Sequence, residues 1–562
     1  MRRARCCTEG RLVAPVLWSL ALSLGCLGLL NEMGAKALVT INRITRPMVL
    51  SVPLPTPPPL LIALALALAV LASRRSAIVA LAIGSSSAVG AACLAAGLSA
   101  APLVALASAA LFALVASRDE LQSMLSLLSV IALAVCLVAT ARYLLYFAVP
   151  SRPFSDPSWA VAELHLKVIH SLQLLSLACY LALPVAGAWS LLVKRGGRRV
   201  SSLAESGDLN RGLSLLVLAA SAMLAATANL LPYAPAAIPS GLVLGVDVPR
   251  YESYLARVAR LGPLGAFIAS PAKAAYILVA YSAMLASGAR PEVVAKFMPS
   301  LLLPAVVASS HLMVLKATRS RRLAATSSFL LATSPLVAVG VYGSFQANMM
   351  ALALVYLCLA LYLSADLRVA APAAALLSAL CHLSHSWTVI QVLAALALLA
   401  AARRDRASAL IALSVAAGAA AGDCVKAALS PAPCTTVHIV RHYACYSLRA
   451  ALSNLASLPH TMYLIVALCY GGFMNYPLLP LAVAGLLRGR DRLSDVMAAW
   501  AATAAVAYFS TWDFASRALL NLPIHVMAAR EVARLRGPHL WAALSLSLSY
   551  YAMCLMNLVP PL

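Results

Sequence analysis

Apolar residues fill this chain in long blocks separated by short polar punctuation. Runs such as 60–72, 121–141 and 213–231 are long enough, with their flanks, to cross a hydrocarbon core of about 30 Å. They lack the strict alternation of a barrel strand, and helices and closed barrels are the spanning structures that satisfy the backbone in lipid. The pattern predicts an all-α fold, a polytopic transmembrane helical bundle of roughly 15–17 spans with an external in-plane amphipathic helix after a long first core loop. The expected spans lie at 12–30, 58–72, 76–98, 101–117, 121–148, 170–193, 213–231, 299–315, 323–340, 346–364, 369–386, 388–402, 407–428, 461–487, 495–511, 514–529 and 539–558. The run after MRRAR is longer than a typical signal-peptide core and leads into further spans, so it reads as a retained first helix.

The polar punctuation orients these helices. Lys and Arg gather at the ends of apolar runs: Arg74-Arg75, KRGGRR at 194–199, Lys316 with Arg319, Arg321 and Arg322, Arg403-Arg404 with Arg406, Arg488 with Arg490 and Arg492, and Arg530 with Arg534 and Arg536. By the positive-inside rule these clusters are cytoplasmic, which puts the N-terminus inside and suits a multi-pass protein of the plasma membrane. The apolar stretch 271–287 conflicts with that assignment if it spans, because the KATRSRR cluster would then fall outside. It is therefore expected to lie in the outer interface or to re-enter. The organisation that results is a six-helix extension, 1–205, followed by a core, 206–562, with external loops at 232–270 and 429–460.

Composition supports this picture and removes alternatives. With 63% hydrophobic and 11% charged residues and a mean hydropathy of +0.90, the chain has too little polar surface for a water-soluble protein of this size. Its net charge of +24 resides in the cytoplasmic clusters, so it points to anionic lipid headgroups rather than to nucleic acid. Among thirteen cysteines there is no CxxC and no Cys/His metal spacing. Cys434 and Cys445, in an external polar stretch, are either a disulfide or two free thiols.

Topology collects the remaining ionisable residues on the external face. In GVDVPRYE, 245–252, Pro249 favours a helix start, and Asp247 either caps that helix or serves as a catalytic carboxylate beside an anionic lipid substrate. The following helix is amphipathic, with Arg250, Ser253, Arg257 and Arg260 on one face and Tyr251, Tyr254, Leu255 and Val258 on the other. In CHLSHSWT, 381–388, His382 and His385 are spaced to share a helical face, and Trp387 suits interfacial depth. Further on, Asp513 and Arg517 are spaced for an ion pair, or for Arg517 to hold a phosphate. Asp423 and Lys426, three apart inside an apolar helix, are either a structural ion pair near its outer end or an intramembrane pair of the kind found in transporters.

Taken in order, these segments resemble the GT-C superfamily of membrane glycosyltransferases, archaeal multi-pass members in particular. The resemblance runs from about 212 to 530. It rests on G-x-D-x-x-x-Y (Gly245, Asp247, Tyr251) with an in-plane helix ending at Leu261-Gly262, on 270–304, on 320–363 with its tyrosine-containing outer turn (Tyr342), on LSHSWT at 383–388 and on SRALLNLPI at 516–524. It implies transfer of a sugar from a polyprenyl-phosphate-linked donor to a glycan, lipid or protein acceptor. Asp247 would be the base, with Glu252 a second carboxylate; Arg250, Arg257 and Arg517 would bind the donor phosphate. Tyr251, Tyr342, His382, His385, Trp387 and Asp513 would line the site. No cofactor is implied, and without Asp-x-Asp a metal has no motif to hold it. Two other readings compete: a secondary transporter or lipid-linked-sugar flippase, and a non-enzymatic scaffold for envelope assembly.

Overall fold

The computed structural model describes residues 38–39, 48–49, 208–230, 233, 245, 247–364, 366–431, 481–482, 485–486, 489–508, 518, 520–535, 540, 543–544, 547–548 and 551. The chain divides into two compact units, Met1–Gly207 with Ser457–Leu487 and Glu531–Leu562, and Asp208–Ala456 with Arg488–Arg530. In the first unit a two-residue antiparallel pair, β1 (Leu38–Val39) and β2 (Met48–Val49), sets Leu38 opposite Val49. The six spans expected before residue 205, and most of those expected at 461–487 and 539–558, lie outside the described residues.

The second unit is helical. Its elements are α1 (Arg211–Leu230), α2 (Val248–Leu261), α3 (Gly265–Ala269), a 3-10 turn (Pro271–Lys273), α4 (Ala274–Ser287), α5 (Pro291–Phe297), α6 (Pro299–Thr318), α7 (Arg321–Ala332), α8 (Pro335–Gly343), α9 (Gln346–Ser364), α10 (Leu367–Ser384), α11 (Ser386–Arg403), α12 (Arg406–Leu429), α13 (Arg492–Tyr508) and α14 (Ile524–Val532). Six stretches are long and apolar enough to cross a membrane: α1, the α5–α6 run, α9, α10, α11 and α12. The protein is a multi-pass, helical membrane protein. Leucines and Met223 stand exposed along α1, as expected of a helix whose outer surface meets lipid. The 14-residue α4 is about 21 Å long, less than a hydrocarbon core requires.

Two expected spans are interrupted. The stretch 323–340 divides at Thr333-Ser334, where Ser334 is extended and Pro335 starts α8; the proline biases the preceding residue away from helix and opens the next one. The stretch 514–529 is broken at Asn521–Pro523, ahead of α14.

Side-chain contacts fix which helix ends share a pole. At the basic pole, Asp208 before α1 accepts from the backbone N–H groups of Arg321 and Arg322 at the start of α7. The Tyr362 hydroxyl, near the end of α9, pairs with Ser408 of α12 at 2.6 Å, and the Arg492 guanidinium lies over the Tyr362 ring. Arg403 pairs with Asp495, and Arg530 with Asp491. Helices here start on side-chain caps, among them Ser320, Asp366 and Asp405, which satisfy amide donors that a helix leaves unpaired. At the opposite pole Asn229 of α1 bonds Ser300 of α6 at 2.9 Å, and Thr388 of α11 bonds Asn348 of α9 at 2.9 Å.

Helix α9 forms the centre of this unit. Its residues Ala347, Ala351, Leu352, Val355, Tyr356, Leu359 and Tyr362 are all buried, and α6, α10 and α11 pack around it. Helices α10 and α12 run parallel in close contact, because Gly418 and Gly422 present no side chain to α10. A Cβ at 418 would fall 2.0 Å from the Ala375 carbonyl oxygen, and one at 422 would meet His382 at 2.9 Å. This is the small-xxx-small spacing that lets membrane helices approach.

Candidate functional site

Gly245, Asp247 and Tyr251 form one structural unit. Gly245 turns the chain at φ +114°, and a Cβ there would meet Ser344 Cβ at 2.8 Å and the Val341 carbonyl oxygen at 3.1 Å. The position needs glycine for both conformation and space. The turn is pressed against the α8–α9 corner, where Ser344 itself adopts a left-handed φ of 50°, a conformation that costs a non-glycine residue roughly 1–2 kcal/mol.

Asp247 follows, at the N-cap position of α2. Of the two readings open for Asp247, the side-chain cap is not formed: Asp247 has helical dihedrals and makes no side-chain cap bond. Its carboxylate is drawn to cations instead. Arg250 Nη1 donates to Oδ1 at 3.2 Å, and Lys273 Nζ lies 3.6 Å from Oδ2. Lys273 Nζ also sits 4.7 Å from the centroid of the Tyr251 ring, within the range of a cation–π contact.

The support beneath these groups is polar and buried. Tyr251 packs edge-on against Tyr276, and its hydroxyl accepts from the Ala347 amide at 3.4 Å. The Tyr276 hydroxyl donates to Gln346 Oε1. Gln346 Nε2 donates in turn to the Ala295 carbonyl at 2.8 Å and to Ser344 Oγ at 2.7 Å. Helix α2 shows the expected amphipathicity: Tyr251, Leu255 and Val258 are buried, while Arg250, Ser253, Arg257 and Arg260 are exposed. Its buried face docks on α4 and α5.

A second cluster joins α10, α11 and α12 at the same pole. His382 Nε2 is 2.6 Å from Asp423 Oδ1. Lys426, fully buried, donates from Nζ to Ser386 Oγ at 2.7 Å and lies 3.9 Å from Asp423 Oδ1. The expected shared face of His382 and His385 is corrected by a break in the helix. Helix α10 ends at Ser384, and His385 is extended (φ −159°, ψ 94°). His382 therefore faces Asp423, while His385 Nδ1 meets Thr388 Oγ1 at 2.8 Å. The Asp423–Lys426 pair, expected to be two residues on one helix, is part of a three-helix assembly.

A third, uncharged network lies next to His385. Thr388 Oγ1 donates to Asn348 Oδ1; Asn348 Nδ2 donates to Asn521 Oδ1 at 2.8 Å, and Asn521 Nδ2 donates back to Asn348 Oδ1 at 3.2 Å. Gln391 Nε2 donates to the Ala518 carbonyl at 2.8 Å. Asn348 also borders a cavity of about 10 Å³, otherwise lined by apolar residues such as Leu303, Val337 and Met349, with room for about one water.

Of the residues singled out from sequence, the structure brings together Asp247, Arg250 and Tyr251. Glu252 is partly buried on α2 and makes no ion pair or hydrogen bond with the described residues; Arg257 is exposed on the same helix. His382, His385 and the partly buried Trp387 stand at the α10–α11 junction. Tyr342 lies in α8, and Asp513 and Arg517 lie outside the described residues. Lys273, Tyr276, Gln346, Asn348 and Asn521 were missed. Their signal was a lone cation, hydroxyl or amide inside an apolar run, a placement that costs enough in lipid to demand a partner. Among the described residues, no three His, Cys, Asp or Glu side chains gather as a metal site would require.

No family model, characterised protein or solved structure gives a significant match to this chain.

Proposed function

We propose that this protein is an inverting membrane glycosyltransferase that moves a sugar from a polyprenyl-phosphate-linked donor to a glycan, lipid or protein acceptor at the outer face of the plasma membrane. In this reading the whole chain forms roughly 15–17 spans, with α2 in the plane of the outer interface. The observation that carries it is the Gly245-Asp247-Tyr251 unit: a carboxylate at the start of an amphipathic helix, flanked by Arg250 and Lys273, with Arg257 and Arg260 exposed farther along. A wedged glycine and a buried tyrosine keep that carboxylate in place.

The chemistry follows from those groups. An acceptor hydroxyl attacks the anomeric carbon and gives its proton to Asp247, a step that contributes about 10²–10⁴-fold. The new bond is C–O; the bond broken joins the anomeric carbon to the phosphate oxygen, and its electron pair leaves with polyprenyl phosphate. Arginines at the headgroup level neutralise charge on the leaving phosphate. Arg250 and Arg257 serve there, joined in this reading by Arg517. Glu252, one turn along α2, is a second carboxylate near the acceptor path, while His385, Trp387, Tyr342 and Asp513 belong to the walls. The test is incubation of purified protein with radiolabelled polyprenyl-phosphate sugars, comparing wild type with Asp247→Ala. Transfer by wild type and its loss in the variant are expected; a donor pool left intact by wild type with every sugar tried defeats the reading.

One observation favours a second reading, a secondary transporter or lipid-linked-sugar flippase. Lys426, Asp423 and His382 form a charged cluster within helices long enough to span, and intramembrane ionisable groups commonly mark transport paths. That reading predicts abolished transport in Asp423→Asn and a mild effect of Asp247→Ala.

A further inference from the structure

The two cations on Asp247 are held in different ways. Arg250 is on the same helix, three residues along, and its side chain is 54% exposed; Lys273 comes from the turn before α4 and is 19% exposed. Arg250 has one partner given by its geometry, Asp247 Oδ1. Lys273 is held on two sides, by Oδ2 and by the face of the buried Tyr251 ring. That ring is fixed by Tyr276 and by the Ala347 amide, and Tyr276 is fixed by Gln346. Lys273 therefore terminates a buried chain of contacts, while Arg250 projects toward solvent.

The geometry points to a division of labour, which rests on the glycosyl-transfer reading for its consequence in turnover. Lys273 is a positioning residue, a fixed strut that holds Oδ2 and so aims Oδ1 outward. Arg250 is a displaceable counter-ion. An arriving phosphate ester, doubly able to accept from a guanidinium fork, draws Arg250 off Oδ1. The same movement binds the donor and uncovers the carboxylate oxygen that takes the acceptor's proton. Arg250 Nη1 donates to that oxygen, so drawing the guanidinium away exposes the base when, and where, a phosphate arrives. An exposed arginine loses little by exchanging one anion for another, since both contacts are partly solvated. A lysine seated on an aromatic face and partly buried beside its carboxylate loses both contacts on leaving.

Two measurements on the full-length protein in lipid nanodiscs test this assignment. The first is binding of polyprenyl phosphate, with no sugar and no turnover. Arg250→Gln is expected to weaken binding by about tenfold, the value of one charge-assisted phosphate contact, and Lys273→Met by less than about threefold. The second is transfer kinetics. Arg250→Gln raises the donor KM with the smaller change in kcat. Lys273→Met lowers kcat by about a hundredfold, the cost of misplacing a reacting group by roughly 1 Å, and Lys273→Arg, which keeps a cation over the ring, recovers much of it. Equal losses of binding in both variants, or a larger loss in Lys273→Met, overturn the division. If Lys273→Met does not fold, Lys273→Gln takes its place in both assays. If wild type transfers no sugar, the function proposed above has failed, and the binding comparison still decides between strut and counter-ion.

Discussion

Two carboxylates at the same pole, Asp247 and Asp423, sit in opposite surroundings. Asp247 begins a short helix beside the bundle, takes one exposed and one semi-buried cation, and has arginines farther along the same helix. Asp423 lies in the last turns of α12, between a fully buried histidine and a fully buried lysine that belong to candidate spans. The first arrangement pairs its carboxylate with a cation that an anionic ligand can reach. The second spends its carboxylate on neutralising a lysine that the bundle has already enclosed, and a buried pair of that kind is weak evidence for function and strong evidence for interdependence. The two carboxylates are comparably enclosed, at 11% and 18% side-chain exposure; the exposure of the paired cation, 54% for Arg250 against 0% for Lys426, separates a candidate reactive site from a structural one here.

The comparison breaks most sharply in activity. Asp247→Asn is expected to lower transfer by about 10²–10⁴-fold, while Asp423→Asn lowers it by less than about tenfold; the reverse order, seen in a transport assay, would hand the protein to the second reading. Next in size is stability at the buried cluster. Asp423→Ala removes from Lys426 its nearest carboxylate among the described residues and is expected to cost roughly 3–5 kcal/mol, read as a fall in the thermal midpoint in detergent. The double variant Asp423→Ala, Lys426→Met should recover part of that loss, and no recovery would mean that the pair is not coupled. Gly418→Val drives a side chain into the Ala375 carbonyl and is expected to cost about 3 kcal/mol, with the His382–Asp423 contact opened as a consequence. Asn521→Leu orphans Asn348 and Thr388 within the uncharged network, at about 1–3 kcal/mol, and should leave Asp247 chemistry less affected than stability.

The smallest effect is at the basic pole. Burial of the Asp491 carboxyl raises its pKa, but hydrogen bonds from Arg530 and from the Ser494 amide and hydroxyl outweigh burial and hold it below the ordinary value. A carboxylate depressed in the folded state contributes stability above its unfolded value, about 4, and loses that contribution as pH falls through the folded value. Asp491→Asn should therefore lower the thermal midpoint modestly at neutral pH, with the variant and wild-type profiles converging as pH falls below about 4. A midpoint at neutral pH identical to wild type would show that this ion pair contributes nothing measurable.

How much of this was readable in the residues depended on whether the signal was local. Helix α9 lies at the expected 346–364 because polar residues mark both of its ends. The amphipathic face of α2 was likewise plain from spacing. The interruption at Thr333-Ser334 is masked by the apolar residues that continue on both sides, and its local mark is the Ser334-Pro335 step. The break at His385 has no glycine or proline to announce it; it is held by contacts from Thr388 and from Ser386, which Lys426 reaches from another helix. Lys273 could not be assigned a role from sequence, since its partners stand 26 and 22 residues earlier, at Asp247 and Tyr251. Pairings across helices depend on packing, and packing is what a single sequence conceals.

The contact between Gly418 and the Ala375 carbonyl also offers a genetic handle. A substitution there changes the gap between two helices without altering any ionisable group. A graded series at 418, from alanine through serine to valine, would widen that gap in steps. Cells carrying such alleles should lose the protein's activity at progressively lower growth temperatures while every polar residue of the pole stays in its native chemical form. Conditional alleles of that kind would allow the proposed transfer product to be followed as the protein is switched off.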